Sequence, residues 1–456
     1  MKIIIVGLGR TGTSLIDALS GENYDITVIE KDKSLVDAIT DKYSVSGVVG
    51  SGASKETLKK AGAETADALV ALTPMDEINL MCCMQAKALG TRRTAARLFL
   101  PDFVAERKNI QNEYKIDYII KPKYDIAEDI SRNIGLPGIV KMQGYFDNLM
   151  QMVNITVVEG SPLIGKKLMD IKRELDVDVL VSTVIREDKL IIPDGTFVIG
   201  AGDRVGIVAG QDGMYETLQK LGIIRAASKN VLIVGGGITC EYLLDMMKGQ
   251  RKNITVVEGN IDKCRMLMEK YPSVKVSYGE GEVTDVLEEE HVDKMDVVVS
   301  LTDKDESNLV TALYAWSQNV PSIITRADVP GHVRLLHRVN MDITVSPSEI
   351  SVMKLIRFIR NYEVGDAQND IGKYYLIADG KAEVMEFRAD SSFKKIGMEF
   401  KNPEFRLKNN VIIASVIRNG SLIIPCGYSA ILEGDRVIVA TQRDNHIKTL
   451  NDIFSK

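Results

Sequence analysis

The first residues able to do chemistry are three glycines, an arginine and a glutamate. Gly7, Gly9 and Gly12 stand in IIIVGLGRTG with Arg10 among them, and Glu30 closes DITVIE about twenty residues on. A GxGxxG turn between a β-branched run and a helical pattern suits phosphate binding. The first glycine allows the turn, the second lets the backbone approach a pyrophosphate, and the third lets helix and strand pack closely. The helix N-terminus then faces the phosphates. A carboxylate at the end of the second strand can accept the ribose hydroxyls, so Glu30 completes the pattern of a dinucleotide cleft.

The arrangement returns later as VLIVGGGITC, with Gly235 and Gly237, followed by ITVVEGN with Glu258. Both glycine and glutamate recur at an interval of 228 residues, and Thr73 and Asn79 recur as Thr302 and Asn308 at 229. The correspondence continues through STVIREDKLIIPDG and ASVIRNGSLIIPCG, so the duplicated unit is about 230 residues long. The second copy departs from the first at two points. Ile238 stands where Arg10 stands, and Cys240 replaces the third glycine. The first change removes a charge, and the second crowds the contact between helix and strand.

No comparable arrangement points to catalysis. The four histidines are His291, His332, His337 and His446, none at a metal-ligand spacing, and the repeat shares neither His332 nor His337. Cys82, Cys83, Cys240, Cys264 and Cys426 form neither a disulfide framework nor a CxxC pair and read as reduced thiols, the first two as small buried hydrophobes on a helix. The net charge of −6 gives no global reason to approach nucleic acid. No run reaches the roughly 18 apolar residues of a membrane span, and the expected location is the cytoplasm.

The elements that must position these residues follow from periodicity. KIIIVG, DITVIE, VSGVVG, ALVALT, RTAARLF and DYIIKP alternate with helical patterns, which predicts a doubly wound parallel sheet of the Rossmann type. Amphipathic segments follow at YDIAEDISRNI and SVMKLIRFIRNY, each with an apolar stripe able to pack on another lobe. A smaller α+β lobe comes next, and Asn419-Gly420 marks a hairpin turn in its second copy. The fold class is therefore α/β, two tandem units. The expected domains are 1–138 and 229–365 for the large lobes, and 139–224 and 366–456 for the small ones.

GLGRTG at the first turn, the T, DE and N of TPMDEIN, and a small lobe closing in GDRV together resemble the RCK, or KTN, family. Two units in tandem without a membrane segment are similar to its members that regulate the Trk potassium uptake system. The resemblance implies a nucleotide-sensing, non-enzymatic regulatory subunit. It further implies a homotetrameric gating ring beneath a separate membrane potassium-translocating subunit, and NAD(H), ATP or ADP in the large-lobe clefts. Carried residue by residue, the phosphate loop falls on Gly7, Leu8, Gly9, Arg10, Thr11 and Gly12, and the ribose acid on Glu30. Arg10 could instead be a solvated surface charge. Asp32 either touches ribose or adenine or caps the next helix. Thr73 and Arg97 end the fourth and fifth strands on the rim of the same crevice. Gly235, Gly237 and Glu258 form the second site. The rivals from other classes are an NAD-dependent oxidoreductase, which would need an acid or base near the nicotinamide, and a plain scaffold.

Overall fold

The structure is a computed structural model. It describes the chain apart from residues 22, 23, 135, 137–139, 147, 148, 225–227, 280–283, 339–342, 365–370, 379, 380, 443, 444, 446 and 456. His446 lies outside the described residues.

The first unit opens with six parallel strands: β1 (Lys2–Val6), β2 (Asp25–Glu30), β3 (Ser46–Val49), β4 (Ala68–Ala71), β5 (Arg93–Arg97) and β6 (Tyr118–Ile120). Their order is β3-β2-β1-β4-β5-β6. Strand order reverses beside β1, and the glycine turn leaves β1 at that point, where such sheets open a crevice for ligand. Ile3, Ile4, Ile5 and Val6 are all buried, because helices cover both faces of a parallel sheet.

A smaller antiparallel sheet follows, made of β7 (Val140–Tyr145), β8 (Met150–Thr156), β9 (Leu180–Arg186), β10 (Lys189–Ile191) and β11 (Arg204–Gly210). Its order is β10-β9-β11-β8-β7. The second unit repeats both sheets. Its parallel strands are β12 (Asn230–Val234), β13 (Asn253–Glu258), β14 (Lys275–Tyr278), β15 (Val297–Ser300), β16 (Ser322–Arg326) and β17 (Thr344–Val345), and its antiparallel strands are β18 (Ile371–Ile377), β19 (Ala382–Arg388), β20 (Val411–Arg418), β21 (Ser421–Ile423) and β22 (Arg436–Gln442). Read from the hairpin edge, the last sheet runs β21-β20-β22-β19-β18, the same topology as its counterpart. At the Asn419-Gly420 turn both residues have positive φ; the first copy adopts the same turn with Glu187 and Asp188, at φ 50° and 60°, without a glycine to relieve it.

The two units interlock. The amphipathic segments form helices Pro122–Asn133 and Pro347–Val364, and each packs on the other unit. Ile126, Ala127 and Ile130 join the core of the second parallel sheet, while Leu355, Ile356 and Ile359 join the core of the first beside Leu15 and Val28. Fully burying an aliphatic side chain of this size contributes about 1.5–3 kcal/mol, so each large lobe depends on residues from the other half of the chain. Lys354 and Asp125 tie the two crossing helices together at 2.7 Å, and Asp125 is buried. The small lobes also meet, with Phe146, Met152 and Val208 sharing one core with Val384, Ala414 and Ile438.

Candidate nucleotide-binding clefts

The first glycine turn behaves as its spacing predicts. Gly7 has φ +96°, which a side chain rarely adopts, and a Cβ on Gly12 would lie 2.1 Å from the Gly7 carbonyl oxygen. Gly9 has nothing within 4 Å of a Cβ position, so its face is open. It caps the helix Arg10–Leu19, which has no side-chain cap of its own, leaving the first-turn amides of that helix for a ligand.

The cleft above this turn has a volume of 510 Å³ and is lined by Gly7, Gly9, Arg10, Thr11, Glu30, Thr73 and Arg97 among others. One Glu30 oxygen accepts from the Leu8 amide at 2.9 Å, and the other accepts from the Lys31 amide at 2.6 Å. The carboxylate therefore holds the glycine turn in shape from the end of β2. Leu8 contributes that amide while its side chain is buried in the core.

Arg97 reaches back from β5, donating to the Leu72 carbonyl and to the Thr11 hydroxyl and stacking on Phe99 at 4.8 Å. Burial pulls its pKa down to about 10. Thr73 donates from both its amide and its hydroxyl to Asn79 Oδ1, each at 2.8 Å, and Asn79 in turn donates to the Thr73 and Arg97 carbonyls. Thr302, Asn308 and Arg326 repeat this bracket in the second unit. The shared threonine and asparagine thus fasten the end of one strand to the next and fix the rim of each cleft.

Asp32 does not line the cleft. Its carboxylate accepts from the Ser34 amide at 2.8 Å and from the Ser34 hydroxyl at 2.6 Å, which caps helix Lys33–Lys42 and lowers its own pKa. Both bonds fall on one oxygen, Oδ1, and give Asp32 the cap role.

The second cleft is smaller, 280 Å³, and Gly235, Gly237 and Glu258 line it. Gly235 repeats the positive φ at +106°, and a Glu258 oxygen accepts from the Gly236 amide at 2.7 Å, as Glu30 does from Leu8. Cys240 is fully buried and burial raises its pKa. Cys82, Cys83 and Cys264 are buried free thiols as well, and Cys426 is exposed.

Three features of the clefts escape a reading of either unit alone. Arg326, at the end of β16, lines both clefts. Asp328 and Ser348 of the second unit line the first cleft, and Lys123 of the first unit lines the second. The 229-residue repeat pairs Arg326 with Arg97 and so signals its position, but nothing local signals that the units exchange residues.

The histidines stand apart. His291 takes a left-handed conformation before a short 3-10 turn, and His332 Nδ1 lies 3.8 Å from Asp305. Neither lines a cleft. Among the described residues, no group of three His, Cys, Asp or Glu is placed to hold a metal, and no helix is long and apolar enough to cross a membrane.

Comparison with known proteins agrees with this architecture. The TrkA-N domain model matches residues 3–122 and again 231–347, and the TrkA-C domain model matches 152–222. The chain is 29% identical over 447 residues to Trk system potassium uptake protein TrkA homolog 1 of Methanosarcina mazei, covering 96% of this chain and 97% of the relative. It is 27% identical to Trk system potassium uptake protein TrkA of Haemophilus influenzae, covering 100% and 98%. Among solved structures, the GsuK RCK domain superimposes with a TM-score of 0.62 at 15% identity, covering 97% of this chain and 92% of that one. The GsuK channel bound to NAD gives 0.62 at 16%, covering 97% and 77%. With two TrkA-N domains, two antiparallel small lobes and this full-length likeness, the chain belongs to the TrkA family, a tandem RCK protein.

Proposed function

We propose that this chain is a nucleotide-sensing regulatory subunit, not an enzyme, controlling a separate TrkH-like membrane potassium-translocating partner. NAD(H), ATP or ADP in the large-lobe clefts is the signal. The assembled form is a homotetrameric gating ring, cytoplasmic and held on the inner face of the membrane by its partner, with no nucleic acid involved. The names of the relatives, Trk system potassium uptake proteins, support the partner.

One observation carries the reading: the first cleft is walled by both units, with Gly9, Arg10 and Glu30 on one side and Asp328 and Ser348 on the other. A ligand there touches two bodies at once. It can favour one arrangement of them only to the extent that it binds that arrangement more tightly, and a composite wall makes the contacts depend on arrangement. The oxidoreductase alternative gains no acid or base from His291 or His332, which line neither cleft.

The test pairs nucleotide titration of the purified chain with potassium flux through the reconstituted partner. Flux that responds to NADH, ATP or ADP, together with an Arg10→Ala chain that still assembles but no longer transmits the ligand, supports the reading. Flux indifferent to every nucleotide, or sustained substrate-dependent NADH oxidation, overturns it.

A further inference from the structure

The second cleft has lost the arginine of the glycine turn, since Ile238 stands where Arg10 stands. A cation nevertheless reaches it from the other unit. Lys123, on the first turn of the crossing helix Pro122–Asn133, is half-buried and lines the second cleft, as Gly237 and Ile238 do. Packing fixes its position. Pro122 is buried at the helix start, the Tyr124 ring meets Tyr242 edge-on at 5.3 Å, and Ile126 and Ile130 sit in the core of the second sheet. The same place on the other crossing helix carries Ser348, a neutral residue that donates to Asp328 in the first cleft.

The electrostatics agree with the geometry. Arg326 Nη1 lies 2.7 Å from Asp303 at the rim of the second cleft. The Asp303 carboxyl is held below its usual range first by that hydrogen bond, and further by the charges of Lys123 and Lys263. Lys123 thus acts at the same rim as two other cations.

We propose that the second cleft holds a mononucleoside polyphosphate, with its phosphates between the Gly235–Gly237 turn and Lys123, and with Glu258 on its ribose. This rests on the nucleotide-binding reading above and adds a residue and a ligand class to it. The second cleft is the smaller of the two, 280 Å³ against 510 Å³. An ammonium on a flexible stem is a point charge suited to the terminal phosphate of a mononucleotide, which carries a second negative charge that a dinucleotide's internal pyrophosphate, with one charge per phosphorus, lacks. The charge deleted at Ile238 is therefore returned in trans.

The experiment uses the full chain without its transport partner. An azido-adenine analogue of ADP is photo-crosslinked and the labelled peptides are mapped, while adenosine, ADP and NAD are titrated into wild type, Lys123→Gln and Lys123→Arg. We expect labelling near β12 and β13 that weakens about tenfold in Lys123→Gln, recovers in Lys123→Arg, and is matched by no change for adenosine. Unchanged ADP affinity in Lys123→Gln, an equal loss for adenosine, or NAD binding at the second cleft as tightly as ADP would overturn the proposal. Labels confined to first-unit peptides would also overturn it while leaving the regulatory reading intact, and labels in neither unit would sink both.

Discussion

The guanidinium of Arg10, in the first unit, lies 3.9 Å from the carboxylate of Asp328, in the second. The two partners are unequally held. The Arg10 side chain is 67% exposed, whereas that of Asp328 is 12% exposed and accepts from the Ser346 hydroxyl, the Ser348 amide and the Ser348 hydroxyl. Asp328 is a fixed charge, and Arg10 is free to turn toward a competing anion. A ligand phosphate at the first glycine turn therefore competes with Asp328 for the same arginine.

Asp328→Asn should tighten ADP at the first cleft, by up to about fivefold, since an exposed ion pair is worth at most about 1 kcal/mol. Arg10→Ala should weaken ADP by about tenfold, toward the lower end for a charged hydrogen bond because Arg10 is well solvated. Adenosine should notice neither change. Calorimetry on the two variants decides, and an Asp328→Asn chain that binds ADP more weakly would contradict the competition.

Glu30 faces the cleft with a carboxylate already tied to the Leu8 and Lys31 amides. A 2′-phosphate placed against it meets like charge, so NAD should bind more tightly than NADP. Glu30→Gln should narrow that preference. Equal binding of the two cofactors by wild type would remove Glu30 from the ribose role.

Leu355 belongs to the second unit by sequence and is fully buried in the core of the first. Leu355→Ala should cost about 2–5 kcal/mol, and the loss should appear in the first parallel sheet. Hydrogen exchange mapped by peptide is the measurement: faster exchange in β1 and β2 is expected. Loosening restricted to β12–β17 would refute the exchange of helices.

Arg186 and Asp203 pair bidentately at 2.7 Å in the first small lobe, and Arg418 and Asp435 pair bidentately at 2.8 and 2.7 Å in the second. The Arg186 hydrogen bonds hold the Asp203 carboxyl below its ordinary 3.8. A depressed folded-state pKa contributes stability that is fully present above the unfolded value and is lost as pH falls through the folded one. Thermal unfolding should therefore show wild type losing its advantage over Asp203→Asn below about pH 4 and keeping it at neutral pH. An advantage that grows on acidification would reverse the sign and refute the assignment.

Much of this protein is written locally. The apolar runs Ile3–Val6 and Val231–Val234 specify buried parallel strands, and the positive φ at Gly7 and Gly235 needs glycine whatever surrounds it. Glu30 and Glu258 follow from strand length alone, because a carboxylate at the end of the second strand must stand beside the turn that ends the first. The duplication is legible in the register of the two halves. What the sequence could not settle is which body each amphipathic helix covers, since an apolar stripe specifies that it needs a partner and not which one. Tertiary packing sends Pro122–Asn133 to the second unit and Pro347–Val364 to the first. That exchange brings Asp328 to Arg10 and Lys123 into the second cleft, across separations in the chain that no local pattern encodes. Asp32 shows the same limit on a smaller scale: its type and position served a ribose or a cap equally well, and only the folded chain shows that it caps the next helix through Ser34.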